Sequence, residues 1–247
     1  MFEDPSAYFT DELYISSVIR PIKSGKEANV LLCRANVDLA GADLAALKVY
    51  VPSDNRDFRH DGVYRAGEWI PDARARRAMD KKTRFGRKVQ ARTWLDREWQ
   101  AMSRLHAAGI SVPRPIARSD DAVLMAYVGD EDGPAPLLRA YRPVDPGEAE
   151  SLLDQVLAAA RSMLRLGIVH ADLSPYNVLV WEGRAVVIDL PQAVDLSQNP
   201  EAGEFFRRDI ARICTWAARH GVARDLAAEM WESRRYAESI PEDLRWP

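Results

Sequence analysis

The sequence predicts an α+β protein folded as two lobes. Three observations carry this. The first half alternates apolar runs of strand length with a single long helical pattern. The second half is helical in period and holds one short hairpin. Between them GDEDGPAP, residues 129–136, interrupts both patterns with glycine, proline and acids, as a hinge would. A strand-rich lobe over 1–128 and a helical lobe over 129–247 follow.

The elements can be justified in order. Residues 15–21 read as a strand that runs into the turn KSGKEANV at 23–30, and 30–33 as the strand returning from it. LAALKVYV at 44–51 is an apolar run with one charge, Lys48, and a lone lysine in such a run needs a reason. Residues 52–88 are polar and irregular. Over 89–108 Trp94, Leu95, Trp99, Met102 and Leu105 share a helical face, Glu98 sits within this helix, and Gly109 caps the end. Residues 112–115, Val-Pro-Arg-Pro, are extended because positions before proline avoid the helical region. VLMAYV at 123–128 reads as a buried strand. A second long helix is predicted over 148–166, with Leu152, Leu153, Val156, Leu157, Met163 and Leu164 inward. The runs at 178–180 and 185–188 flank a Trp181-Glu182-Gly183-Arg184 turn and form the hairpin. The tail from 201 to 247 is helical in two or three pieces.

Bulk properties exclude several classes. The 247 residues are 47% hydrophobic and 29% charged, enough to bury a core and too apolar for a disordered chain. Net charge is −3, so charge in bulk does not announce a nucleic-acid partner. Its distribution is uneven: residues 73–92 hold nine basic side chains against Asp80, a local +8, which leaves −11 for the rest. Two distant cysteines, Cys33 and Cys214, fit a reducing compartment and no zinc site. The acidic start is unlike a signal peptide, and no run is long enough to span a membrane. A cytoplasmic protein is expected.

The chemistry lies around the hairpin. Before it stands HADLSPYN, 170–177, and after it IDLPQ, 188–192. Asp172 and Asn177 are five apart, and Asp189 follows Asp172 by seventeen. One carboxylate and one amide, with phosphate oxygens and waters, suit magnesium. The other carboxylate is then left to face an attacking hydroxyl or water. Upstream, KSGKEANV has a Gly-Lys pair but is not a Walker loop, since Arg20 and Glu27 occupy the positions of its first glycine and its Ser/Thr. A phosphate loop, a strand lysine (Lys48), a helix glutamate (Glu98), an Asp/Asn catalytic loop and a metal aspartate occur once each, in the order of protein kinases. Taken singly, each is ordinary: Asp172 and Asn177 favour turns, Lys48 could snorkel, Glu98 could be solvated, and Ser24 with Lys26 could be a wet turn. The series in one order outweighs those readings. His170 reads as a packed, hydrogen-bonded histidine rather than a catalyst.

KSGKEANV, HADLSPYN, IDLPQ and EFFRRD (204–209) together resemble the RIO family of atypical serine/threonine protein kinases, over about residues 14–220. The resemblance implies a bilobal protein-kinase-like fold with a shortened helical C-lobe. It is similar to the branch without an N-terminal winged helix, in a compact, bacterial-like form. It implies ATP and Mg2+ as cofactors. By resemblance Ser24, Gly25 and Lys26 line the phosphates, and Lys48, steadied by Glu98, pairs with the α- and β-phosphates. Met125 stands as gatekeeper, with Ala126 and Val128 backbone groups reading the adenine edge. Asp172 is the catalytic carboxylate, Asn177 and Asp189 hold magnesium, and Asp209 braces the catalytic loop. Whether Asp189 also accepts the phosphoryl group stays open, as does the protein substrate, which includes the chain itself. Ala171 replaces the family's glycine after the histidine, and Pro175 stiffens the loop. No reacting group is missing.

Two other functions compete. An aminoglycoside-type small-molecule phosphotransferase shares the Asp-to-Asn loop and metal Asp, but KSGKEANV and Gln192 speak against it. An ATP-gated module on RNA or a pre-ribosomal particle would use the basic segment 73–92. Trp69, Phe85 and Trp94 lie in or near it, and contact with the ribosomal small subunit is what the family implies.

Overall fold

A computed structural model describes residues 6–25, 28–50, 77, 81 and 83–238, with backbone only for 84, 87, 88, 234 and 236–238. The chain divides into two compact units.

The first unit is built on a five-stranded antiparallel sheet ordered β1-β2-β3-β5-β4. The strands are β1 (Ile15–Ser24), β2 (Ala28–Ala35), β3 (Leu44–Tyr50), β4 (Pro115–Arg118) and β5 (Ala122–Ala126). Two short helices, α1 (Ala7–Asp11) and α2 (Val37–Ala40), flank β1 and follow β2. Asn36 caps α2 by accepting from the Asp38 N–H at 3.0 Å, and Gly41 ends it at φ 63°. The alternation of β3 sorts its side chains. Ala45, Leu47 and Val49 join Phe9, Ile15, Cys33, Ala122 and Leu124 in an apolar cluster on one face. Ala46, Lys48 and Tyr50 point to the other.

The long helix α3 (Arg84–Ala107) begins five residues earlier than its apolar pattern, and so takes in residues the sequence places among the irregular ones. Its start is set by a polar cap rather than by periodicity: Thr83 Oγ1 accepts from the Gly86 N–H at 3.1 Å. Its end is Gly109 at φ 74°, where the Gly109 and Ile110 N–H groups close on His106 and Leu105 carbonyls.

The second unit centres on α4 (Pro146–Arg165). Asp145 caps it, accepting from the Glu148 N–H at 2.8 Å, while Glu148 accepts from the Val144 N–H at 2.7 Å. Leu152, Leu153, Val156, Leu157, Ala160, Met163 and Leu164 are buried along one stripe. Against α4 pack α5 (Ala202–Ala218), α6 (Leu226–Glu238) and the hairpin of β7 (Val178–Trp181) and β8 (Arg184–Val187). Glu182 and Gly183 both take left-handed φ, 49° and 72°, the turn whose twist matches a two-residue hairpin. A two-stranded pair, β6 (Ile168–Val169) with β9 (Val194–Asp195), brackets the hairpin and both polar motifs. Arg224 ties α6 to α4 through Asp154 at 2.7 Å and Glu150 at 3.0 Å. Among the described residues no helix is long and apolar enough to cross a membrane.

Candidate active site

Lys48 and Tyr50 stand two apart on β3, so they emerge on one face. There they meet Glu98 of α3. Lys48 Nζ lies 2.7 Å from Glu98 Oε1, with the side chains only 11% and 3% exposed. The Tyr50 hydroxyl donates to the other oxygen, Oε2, and Lys48 Nζ sits 5.4 Å from the centre of the Tyr50 ring. Desolvating two opposite charges costs about as much as their attraction returns, so such a pair is weak evidence of stabilisation. Its presence asks for another explanation. Tyr50 was not singled out from the sequence; its period-two spacing from Lys48 was the available signal.

Ser24 and Gly25 close β1, and Ser24 pairs with Asn29 across the turn. The Gly25 N–H donates to the Ala28 carbonyl at 3.1 Å. A Cβ on Gly25 would stand 3.0 Å from that carbonyl oxygen, so any other residue here would push the turn open by a few tenths of an ångström. Lys26 lies outside the described residues. Met125, Ala126 and Val128 are half-buried at the end of β5 and just beyond it. The Ala126 N–H is taken by the Arg114 carbonyl at 2.8 Å, so any reading of a base edge by Ala126 falls to its carbonyl.

In the second unit His170 is 2% exposed. Its Nε2 lies 3.1 Å from the Ile188 carbonyl, and its Nδ1 accepts from the Asp172 N–H at 3.3 Å. Only the neutral Nε2–H tautomer serves both contacts, and burial pushes the imidazole pKa down, which favours that form. The Ile188 N–H donates to the Asn177 carbonyl at 3.0 Å. Ile188 is thus pinned from both sides, and Asp189, the next residue, follows it at φ 69°. Ala171 also holds a left-handed φ, 66°, while fully buried. Such backbone is uncommon away from glycine, and it gathers at functional loops.

Asn177 spends its amide NH2 on Asp172, at 2.9 Å to the main-chain oxygen and 3.2 Å to Oδ2. Its side-chain oxygen is left as an acceptor. One amide oxygen beside one carboxylate is a donor set for a hard cation that keeps several waters, as magnesium does. A closed cage would need more: among the described residues no group of three or more His, Cys, Asp or Glu is placed to hold a metal.

α5 runs beneath this loop. Arg208 donates to the Ala171 carbonyl, and Arg212 Nη1 donates to Asp172 Oδ1 at 2.9 Å. Asp209 is 1% exposed, and neither of its oxygens closes a hydrogen bond among the described residues. Burial pushes its pKa up to about 7, against the pull of the Leu173 N–H, Arg208 and Arg212. Arg208 and Arg212 were not foreseen as site residues. Their i, i+4 spacing, with Asp209 between them among buried Phe205, Phe206, Ile210 and Ile213, was the signal.

Much of the basic segment 73–92, including Arg74, Arg76 and Lys82, lies outside the described residues, as does Trp69. Arg92 pairs with Asp120 at 3.0 Å on the surface.

Comparison with known proteins gives this arrangement a family. The RIO domain matches residues 38–230. The chain is 36% identical over 205 residues to the RIO-type serine/threonine-protein kinase Rio1 of Haloferax volcanii, covering 83% of this chain and 64% of that protein. It is 34% identical over 212 residues to the serine/threonine-protein kinase RIO1 of Homo sapiens, covering 85% of this chain and 35% of that one. It therefore spans under two thirds of the length of either relative. Among solved structures, the Rio2 kinase–ADP/Mg2+–phosphoaspartate complex from Chaetomium thermophilum superposes with a TM-score of 0.72, over 97% of this chain and 66% of that one, at 18% identity. The fold is thus the bilobal, kinase-like α+β fold. The chain belongs to the RIO domain family.

Proposed function

We propose that this chain is a magnesium-dependent, ATP-binding phosphotransferase of RIO type, working in the cytoplasm. The observation that carries the reading is the buried Lys48–Glu98 pair with Tyr50 on its second oxygen. Folding does not require it, and a held ammonium is what the α- and β-phosphates of ATP need. Glu98 fixes the Lys48 ammonium so that it need not reorganise when phosphate arrives. Ser24, Gly25 and Lys26 would line the phosphates, with the Met125–Val128 stretch at the base. Magnesium, held by Asn177 and Asp189, would neutralise charge between the β- and γ-phosphates. Asp172 faces the acceptor, orienting a hydroxyl and taking its proton as the phosphoryl group leaves ADP. His170, neutral and buried, locks the loop rather than reacting.

A second route stays within the same site. The Rio2 structure is of a phosphoaspartate complex, and a carboxylate can act as the nucleophile. Asp189 accepting the γ-phosphoryl group would make this chain an ATPase cycling through an acyl phosphate. An acceptor hydroxyl on the chain itself would make it an autophosphorylating kinase.

Calorimetric titration with a non-hydrolysable ATP analogue tests the reading. Binding should tighten about tenfold or more on adding magnesium, an effect lost in Asp189→Asn, as expected when the carboxylate that would hold the cation is removed. Equal affinity with and without magnesium in the wild type would contradict it.

A further inference from the structure

Two arginines of α5 address two consecutive residues of the 170–177 loop. Arg208 donates to the carbonyl of Ala171, the residue held at φ 66°. Asp209, the next residue, is 1% exposed. Arg212, on the same face one turn on, donates to Asp172 Oδ1 at 2.9 Å. The other oxygen of Asp172 accepts from Asn177 Nδ2 at 3.2 Å. The carboxylate is therefore gripped at both oxygens by donors from two different elements.

We propose that Arg212 is a positioning residue for Asp172. It sets the rotation of the carboxylate, so that the lone pairs left over point at the acceptor. Asp172 and Arg212 are each 39% exposed. An ion pair that wet contributes little to folding. With Arg212 removed, the carboxylate keeps only the Asn177 contact and can pivot about it into orientations useless for taking a proton. Asn177 holds the other oxygen by the longer of the two contacts, 3.2 against 2.9 Å. Arg212 stands on a packed helix, flanked by buried Ile210 and Ile213, and so holds Asp172 from an element outside the loop. This inference rests on reading Asp172 as the group facing the acceptor.

The test measures kcat and KM for ATP, by single- and multiple-turnover phosphate release and label transfer. The proteins are wild type, Arg212→Ala, Arg212→Lys, Asp172→Asn and the Arg212→Ala/Asp172→Asn double variant, each with its urea unfolding curve. Arg212→Ala is expected to lower kcat about ten- to a hundredfold, the scale of a small misplacement of a reacting group, with KM for ATP within about twofold. Arg212→Lys should recover part of the loss. In the Asp172→Asn background, removing Arg212 should change kcat by less than about twofold, since the group it positions is gone. If Arg212→Ala does not fold, Arg212→Gln is read by the same standard. A wild-type kcat in the folded variant overturns the inference. So does a loss as large in the Asp172→Asn background as in the wild type, which would mark a merely structural arginine. A wild type that neither releases nor transfers phosphate overturns the reading of the site itself, and the inference with it.

Discussion

Asp209 couples the stability of the second unit to pH. Its ordinary pKa of 3.8 is pushed up to about 7 by burial. Between those values the folded chain holds a proton that the unfolded chain has released. The favourable contribution is whole below pH 3.8 and is lost as pH rises through 7. At 1.36 kcal/mol per pH unit this amounts to a few kcal/mol. His170 works in the opposite sense: its pKa is lowered by burial, so its contribution is present above 6.5 and is lost as pH falls. Urea unfolding of wild type and Asp209→Asn from pH 4 to 8 separates the two, because the histidine is common to both. The stability of Asp209→Asn relative to wild type should climb across that range and level off above pH 7. Parallel curves would show that Asp209 ionises freely in the fold. At this scale the sequence was unevenly legible. Lys48 stood out as one charge in an apolar strand. Arg212 did not, because an arginine on a helix is ordinary until the loop beneath which it lies is placed.

On the scale of elements, the β3–α3 contact gives a prediction that separates folding from chemistry. Lys48→Met takes the ammonium away from Glu98, 3% exposed, and should cost about 3 kcal/mol in urea unfolding. Adding Glu98→Gln removes the stranded charge while leaving an acceptor for Tyr50, and should restore most of that stability. Neither variant should turn over ATP. A double variant no more stable than Lys48→Met would show that the pair is structural in its own right. The elements themselves were read best where one physical signal set both type and length. Apolar stripes located α3 and α4, and the Glu182-Gly183 turn located the hairpin. The start of α3 escaped periodicity because Thr83 sets it through a cap. The short helices α1 and α2, the strand β4 and the β6–β9 pair escaped as well. Two to five residues carry no readable period, and long-range pairing decides them.

For the whole molecule, the order of motifs along the chain was legible before any contact was. A strand lysine, a helix glutamate, an Asp/Asn loop and a metal aspartate recur in that order because a phosphate-transfer site needs each on its own kind of element. Two local arrangements support it physically: a buried ammonium held by Glu98, and a carboxylate at position 172 gripped at both oxygens. The central claim is that these groups move a phosphoryl group from ATP. The most direct test incubates the purified chain, Asp172→Asn and Asp189→Asn with γ-labelled ATP and magnesium, following free phosphate and label retained on protein. Phosphate release or retained label in the wild type, reduced at least about a hundredfold in Asp172→Asn, is the predicted result. Hydroxylamine-labile label that disappears with Asp189→Asn would assign the acyl-phosphate route, and stable label on serine or threonine the hydroxyl route. Neither phosphate nor label from the wild type would contradict the account.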